Sequence, residues 1–333
     1  MYAEFYGLSG EPFLLTPDPQ FYFESSVHAQ AMAHLLYGIN RGEGFIVVTG
    51  EVGAGKTTLV QRLCATIDSA RVAPAHIVTT LLGAAELLRM VCAAFGIEDV
   101  PKSKDAALLR IRHHLEALHQ EGRKALLIVD EAQNLPPRAL EELRMLSNFQ
   151  VGNTSPCQIF LIGQPQFRDT MAHPNLEQLR QRVIAAYHLG PLQSDECEQY
   201  LLHRLRHVGW KNDPLFEPGA IEAIFEHTGG IPRRINTLCS RLLLLGFLDD
   251  LHVFTAQDAA RVAADLREEN GPAPSVIARP VKASENYLDG IEDTGLWNRV
   301  EMLEERVDAH EKTLRHIFAG LTKMVDPRWF DRR

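Results

Sequence analysis

The sequence predicts an α/β fold built on a five-stranded parallel sheet, followed by an all-helical second domain and a coiled-coil-like C-terminal helix. Three observations point there. Up to about residue 190, short apolar runs alternate with longer helical patterns, as they do where a helix returns each strand to a parallel sheet. From 192 to 267 amphipathic helical stretches continue but the strand pattern stops. Beyond a stretch bearing proline and glycine, apolar residues recur in alternating steps of four and three.

Taken in order, the candidate strands are FIVVT (45–49), AHIVT (75–79), ALLIVD (125–130), QIFLI (158–162) and IAAYHL (184–189). All are short and sufficiently β-branched, aromatic or apolar to be buried strands rather than turns of helix. The strings WKNDPLFEPG, HTGGIP and DDLHVFT then separate the helical stretches of the second domain. Residues 268–294 carry prolines and glycines with few large apolar side chains and read as an extended linker. Leu296, Val300, Leu303, Val307, His310, Leu314, Ile317 and Leu321 follow as a heptad seam flanked by charged residues, which suits pairing with another copy or with a membrane-protein helix. The expected boundaries are thus 1–190 for the α/β core, 191–267 for a helical lid, 268–294 for the linker, 295–325 for the heptad helix and 326–333 for a tail.

Composition narrows the class. The chain has 333 residues, 45% hydrophobic and 23% charged, which suits a folded globular protein and excludes a disordered or collagenous one. A net charge of −9 argues against a chain built mainly to coat nucleic acid, so DNA is a possible but not favoured partner. The five cysteines form no CxxC pair, and the 14 histidines form no cluster with metal-ligand spacing. The longest apolar run noted, LLLLGFL at 242–248, falls far short of the roughly 20 residues needed to span a bilayer, and the N-terminus has no signal-peptide pattern. A cytoplasmic protein with no transmembrane segment of its own is expected.

The chemistry is concentrated in a few strings. Gly50-Glu51-Val52-Gly53-Ala54-Gly55-Lys56-Thr57 matches GxxxxGK[ST] and lies between the strand FIVVT and the helical stretch that starts with Thr57 and Thr58. Glycines let backbone N–H groups curl around phosphates, the lysine ammonium reaches the β and γ phosphates, and the threonine hydroxyl coordinates Mg²⁺. A P-loop NTPase follows, with ATP and Mg²⁺ expected. Asp130 and Glu131 end the strand ALLIVD, where ligands of open α/β sheets gather; Asp130 is expected to hold Mg²⁺ and Glu131 to polarise the attacking water. Gln164, after QIFLI, is placed to reach the γ-phosphate or that water. Arg182, with Arg180 as alternate, precedes the last strand, where a guanidinium completes a neighbouring subunit's site. Arg233 opens a helix behind Pro232 and is aimed back at the phosphates in cis.

Together these strings resemble the AAA+ ATPases. FYGLSGEPFLLTPDPQFYF with the later His28, EELRMLSNFQ, LIGQPQFR, LEQLRQRV and GGIPRRIN resemble the ExeA/GspA branch, itself similar to transposition ATPases. GEGFIVVTGEVGAGKTTL, VDEAQNLPP and LRMLSNFQ look like the secretion ATPase of exosortase (XrtA/PEP-CTERM) loci. The resemblance implies ATP hydrolysis at an interface between copies, driving or regulating an export, exopolysaccharide or protein-sorting assembly at the envelope. It departs from ExeA proper, which continues into a transmembrane segment and a peptidoglycan-binding domain. Its Gln164 stands where many AAA+ proteins use asparagine. Two other outcomes stay open: an ATPase regulator of the transposition type that binds DNA, and a scaffold that uses nucleotide as a slow switch.

Overall fold

The computed structural model describes residues 1–79, 83–98, 100, 103–152 and 154–270. In chain order the elements are α1 (Tyr2–Phe5), α2 (Ser26–Arg41), β1 (Phe45–Gly50), α3 (Lys56–Thr66), β2 (Val72–Val78), α4 (Ala84–Ala94) and α5 (Lys104–Gln120). Then come β3 (Lys124–Asp130), α6 (Pro137–Ser147), β4 (Cys157–Gly163), α7 (Phe167–Ala172), α8 (Glu177–Arg180) and β5 (Val183–Leu189). The remainder holds α9 (Ser194–His207), β6 (Leu215–Phe216), α10 (Pro218–Thr228), α11 (Pro232–Asp249), β7 (Val253–Phe254) and α12 (Ala256–Asn270).

The five expected strands form one parallel sheet in the order β2-β3-β4-β1-β5. Their burial follows that order rather than composition alone. The inner strands β1, β3 and β4 are buried on both faces almost throughout, as continuous apolar runs require. The edge strands depart from the expectation of five buried strands: β2 alternates buried and exposed residues, and β5 is mostly half-exposed. An edge strand lacks a neighbour on one side, so only part of its surface is covered.

Because successive strand side chains point to opposite faces, β1 feeds two cores. Phe45 and Val47 pack with Leu127, Ile159, Leu161 and the apolar faces of α4, α5 and α6. Ile46 and Val48 pack on the other face with Phe160, Ile162 and residues of α2 and α3. A third apolar cluster lies in α9 to α12 and is joined by Tyr6, Leu8 and Phe13 from the start of the chain. Residues at the N-terminus, expected within the α/β core, therefore pack with the helices that follow β5. Tyr6 Oη donates to Leu251 O at 2.9 Å and Ser9 N to Val208 O at 2.8 Å, so polar groups reinforce this placement.

The helical part is not wholly helical. Leu215 and Phe216 pair in parallel with Val253 and Phe254, a two-residue ladder too short to leave an alternating pattern in the sequence. Its last helix, α12, runs to Asn270, three residues beyond the expected boundary at 267. The rest of the linker (271–294), the heptad helix (295–325) and the tail (326–333) lie outside the described residues.

Candidate active site

The loop Gly50–Thr57 leaves the C-terminal end of β1 and turns into α3, whose first residue is Lys56. Gly53 and Gly55 lie at φ +85° and +96°, a region L side chains rarely enter. Space forbids a side chain there as well: one at Gly53 would collide with Arg233, and a Cβ at Gly55 would lie 2.6 Å from His28 Nε2. Lys56 is only 6% exposed, and its Nζ donates to Gly50 O at 2.7 Å and Glu51 O at 2.9 Å. Burial lowers its pKa, while Glu131, Asp130 and Glu51 act to raise it.

Asp130, 2% exposed, ends β3 one strand beyond β4. Thr57 Oγ1 donates to Asp130 Oδ2 at 3.0 Å, so the hydroxyl and carboxylate expected at one ion do converge. Burial pushes Asp130 up, but nearby His76, whose Nε2 lies 3.9 Å from Oδ2, and hydrogen bonds from the Glu131 amide and Thr57 outweigh it and hold the carboxyl below its usual range. Among the described residues no group of three or more His, Cys, Asp or Glu side chains forms a ready metal site.

Glu131 turns sharply off the strand at φ +56°, a conformation costing roughly 1 to 2 kcal/mol for a non-glycine residue. Thr79 Oγ1 holds that turn by donating to Asp130 O (2.9 Å) and Glu131 O (2.7 Å), and Asn134 Nδ2 donates to Thr79 O at 3.0 Å. The carboxylate is fixed in its turn: Gln164 Nε2 donates to Glu131 Oε2 at 3.2 Å, and Gln133 Nε2 donates to the same oxygen. Gln133 Oε1 accepts from Gln164 N at 3.0 Å, closing the group. Gln164 thus contacts the acid beside which it was expected to act.

A cleft opens in front of the loop. It is lined on one side by Val52, Gly53, Gly55, Lys56, Thr57, Thr58 and Glu131 and on the other by Leu14–Asp18, Phe21, Tyr200, Arg204, Pro232, Arg233 and Asn236. Pro232 starts α11, and Arg233 N donates to Gly53 O at 3.1 Å, which brings Arg233 to the loop as expected. The far wall hangs on Arg204, 7% exposed: its Nε donates to Pro12 O at 2.6 Å and its Nη2 to Leu14 O at 3.1 Å, with the guanidinium 4.6 Å from the Phe21 ring centre. Tyr200 Oη donates to Asn236 Oδ1 at 2.8 Å beside it.

The two arginines ahead of β5 are not brought to this cleft. The Arg182 carbonyl accepts from Phe45 N, which places the residue at the opposite end of β1 from the loop; its exposed side chain donates to Ser147 O at 3.3 Å. Arg180 Nη1 is committed to Met171 O (2.7 Å) and His173 O (2.8 Å), closing the turn after α7. Sequence reasoning gave no role to Gln133, Arg204 or Arg168, whose Nε donates to Thr49 Oγ1 at 3.1 Å just before the loop. One signal for Arg204 existed: it falls on the apolar stripe of α9 with Cys197, Tyr200 and Leu201, where an arginine needs buried acceptors.

Residues 39–171 match the family described as AAA domain. The chain is 38% identical over 276 residues to General secretion pathway protein A of Aeromonas hydrophila, an alignment covering 81% of this chain and 50% of that protein. It therefore spans about half the length of this curated relative. Among solved structures it resembles Aeropyrum pernix ORC2 in its ADPNP–ADP complexes (TM-score 0.54, 16% identity, 75% of this chain and 72% of that one). It also resembles Drosophila ORC bound to DNA (TM-score 0.60, 17% identity, 77% of this chain and 64% of that one). At such identities the likeness concerns fold alone. Among the described residues no helix is long and apolar enough to cross a membrane. With the glycine loop at the end of β1, the acid pair at the end of β3 and the match of residues 39–171 to the AAA domain model, the chain has the P-loop NTPase fold seen in AAA proteins.

Proposed function

We propose that the protein is a Mg²⁺-dependent ATPase that drives or regulates an export, exopolysaccharide or protein-sorting assembly at the envelope. The observation that carries the enzymatic part is the convergence of Lys56, the Thr57–Asp130 pair and Glu131 at one loop facing the cleft. Backbone N–H groups of residues 50–58 and the Lys56 ammonium bind the phosphates. Thr57 and Asp130 fit a Mg²⁺ ion, since a hydroxyl and a low-pKa carboxylate at 3.0 Å are the hard oxygen donors it takes. When bound there, the ion would neutralise phosphate charge. Glu131, aimed by Gln133 and Gln164, orients water for attack on the γ-phosphate.

Arg233 senses the nucleotide in cis from its seat on Gly53. Arg182, remote from its own loop and exposed, supplies the guanidinium for a second copy's site in a homo-oligomer; Arg180 is already spent on carbonyls. Mixing Arg182→Ala with Glu131→Gln tests this, because intact half-sites regain turnover only where they meet across an interface. The envelope role draws on the relative named General secretion pathway protein A and on the strings resembling exosortase-locus ATPases. A cytoplasmic location, peripheral to the inner membrane through a partner, goes with it. Steady-state phosphate release from ATP, with and without DNA or membrane extract, is the deciding measurement: stimulation by membrane extract supports this reading, stimulation by DNA alone replaces it with the regulator of DNA transactions, and no release with tight binding replaces it with a nucleotide switch.

A further inference from the structure

One peptide unit of the loop is held from outside by a side chain that the GxxxxGK[ST] pattern does not contain. A trans peptide points its carbonyl and amide in opposite directions. The Ala54 carbonyl faces away from the cleft toward α2, where His28 Nε2 lies 3.1 Å from it. The Gly55 N–H is thereby turned toward the cleft that Gly53, Gly55 and Lys56 line. Gly55, at φ +96°, imposes no side-chain barrier on rotation of this unit. A flip would replace an anion-binding N–H by a carbonyl aimed at the phosphates, changing attraction into repulsion.

The histidine is built to prevent that. It is 5% exposed and is held between Ser25, the N-cap of α2, and the Ala54 carbonyl. Ala54 O, 3.1 Å from His28 Nε2, can only accept, so the ring proton lies on Nε2; Nδ1 then accepts from the Ser25 hydroxyl at 2.7 Å, whose oxygen accepts from His28 N at 3.3 Å. Burial lowers the pKa of His28, which keeps the ring neutral in this tautomer at neutral pH. The same turn is tied to the helical wall, because Glu196 Oε1 in the first turn of α9 accepts from Ser26 N at 2.6 Å. We propose that His28 is a positioning residue for phosphate binding: its Nε2–H locks the Ala54–Gly55 peptide with the amide presented to the nucleotide, and α9 anchors the lock. This rests on the phosphate-binding role of the loop proposed above.

The test uses the full chain and four variants. His28→Leu fills the space without a donor; His28→Asn keeps an acceptor for Ser25 but is too short to reach Ala54; His28→Gln carries an amide N–H about as far as Nε2; Lys56→Ala is the control for the loop itself. Loss of one such hydrogen bond corresponds to about tenfold in affinity. His28→Leu and His28→Asn are therefore expected to weaken binding of ADP and of a non-hydrolysable ATP analogue by about tenfold. KM for ATP should rise by the same factor with little change in kcat, and His28→Gln should restore both. The proposal is overturned if His28→Leu and His28→Asn bind as wild type, or if His28→Gln is as weak as they are, since packing alone would then explain the residue. If His28→Leu does not fold, the comparison of His28→Asn with His28→Gln decides. Wild-type binding by Lys56→Ala would instead remove the phosphate-binding reading on which the lock depends.

Discussion

The two walls of the cleft are made in opposite ways. The loop wall comes from one contiguous string, Gly50–Thr58, plus residues one or two strands away, and its side chains are fixed by a sheet buried on both faces. The opposite wall joins Leu14–Asp18 and Phe21 from the start of the chain to Tyr200, Arg204 and Asn236, 190 residues on from Leu14 to Arg204 and 222 to Asn236, through a few hydrogen bonds from a buried guanidinium and the Asn236 amide. In the proposed mechanism the phosphate-binding and water-orienting groups lie in the first wall, while the second adds Arg233 and the shape of the cleft. A change in the loop wall should therefore alter binding or turnover at nearly unchanged stability, while a change in the far wall should cost stability and affinity together.

The largest effect is expected from Lys56→Ala, which removes the buried ammonium that the proposed mechanism places at the β and γ phosphates; calorimetry should find no ATP binding although the protein folds. Wild-type affinity would break the comparison at its root. Glu131→Gln keeps the shape of the side chain and removes its charge, so ATP affinity should stay within a few-fold while phosphate release drops on the order of 100-fold. Turnover near wild type would move the base elsewhere in the cleft.

Arg204→Met tests the far wall. Two carbonyls, Pro12 O and Leu14 O, lose their charged donor, so the denaturant midpoint should fall by an amount corresponding to about 3 kcal/mol, with ATP affinity weakened as well. Loss of affinity without loss of stability would show that Arg204 contacts nucleotide directly rather than shaping the wall. The smallest effect is expected from ending the chain after Asn270: ATP binding should be unchanged, because the described residues that line the cleft all lie before that point. A weaker Kd in the shortened chain would bring residues 271–333 into the site.

The sequence by itself determined the inner strands, the loop and the acid pair, since each is a local pattern: an apolar run, glycines at fixed offsets, carboxylates closing a strand. Parallel order and crossover connections then leave few arrangements in which Asp130 is not beside Thr57. Only the tertiary structure decided that β2 and β5 are the half-exposed edges, that Gln164 hydrogen-bonds to Glu131 and that Arg180 is tied to carbonyls near its own turn. It also sent Tyr6, Leu8 and Phe13 into the helical cluster and set His28 against the loop and Arg204 against the chain's first residues. The physical reason is common to all of these. Periodicity and spacing say that a side chain is buried or turned toward a face, but a hydrogen bond between residues 28 and 54, or 204 and 12, depends on which surfaces meet when the elements pack, and no local pattern in either segment names its partner.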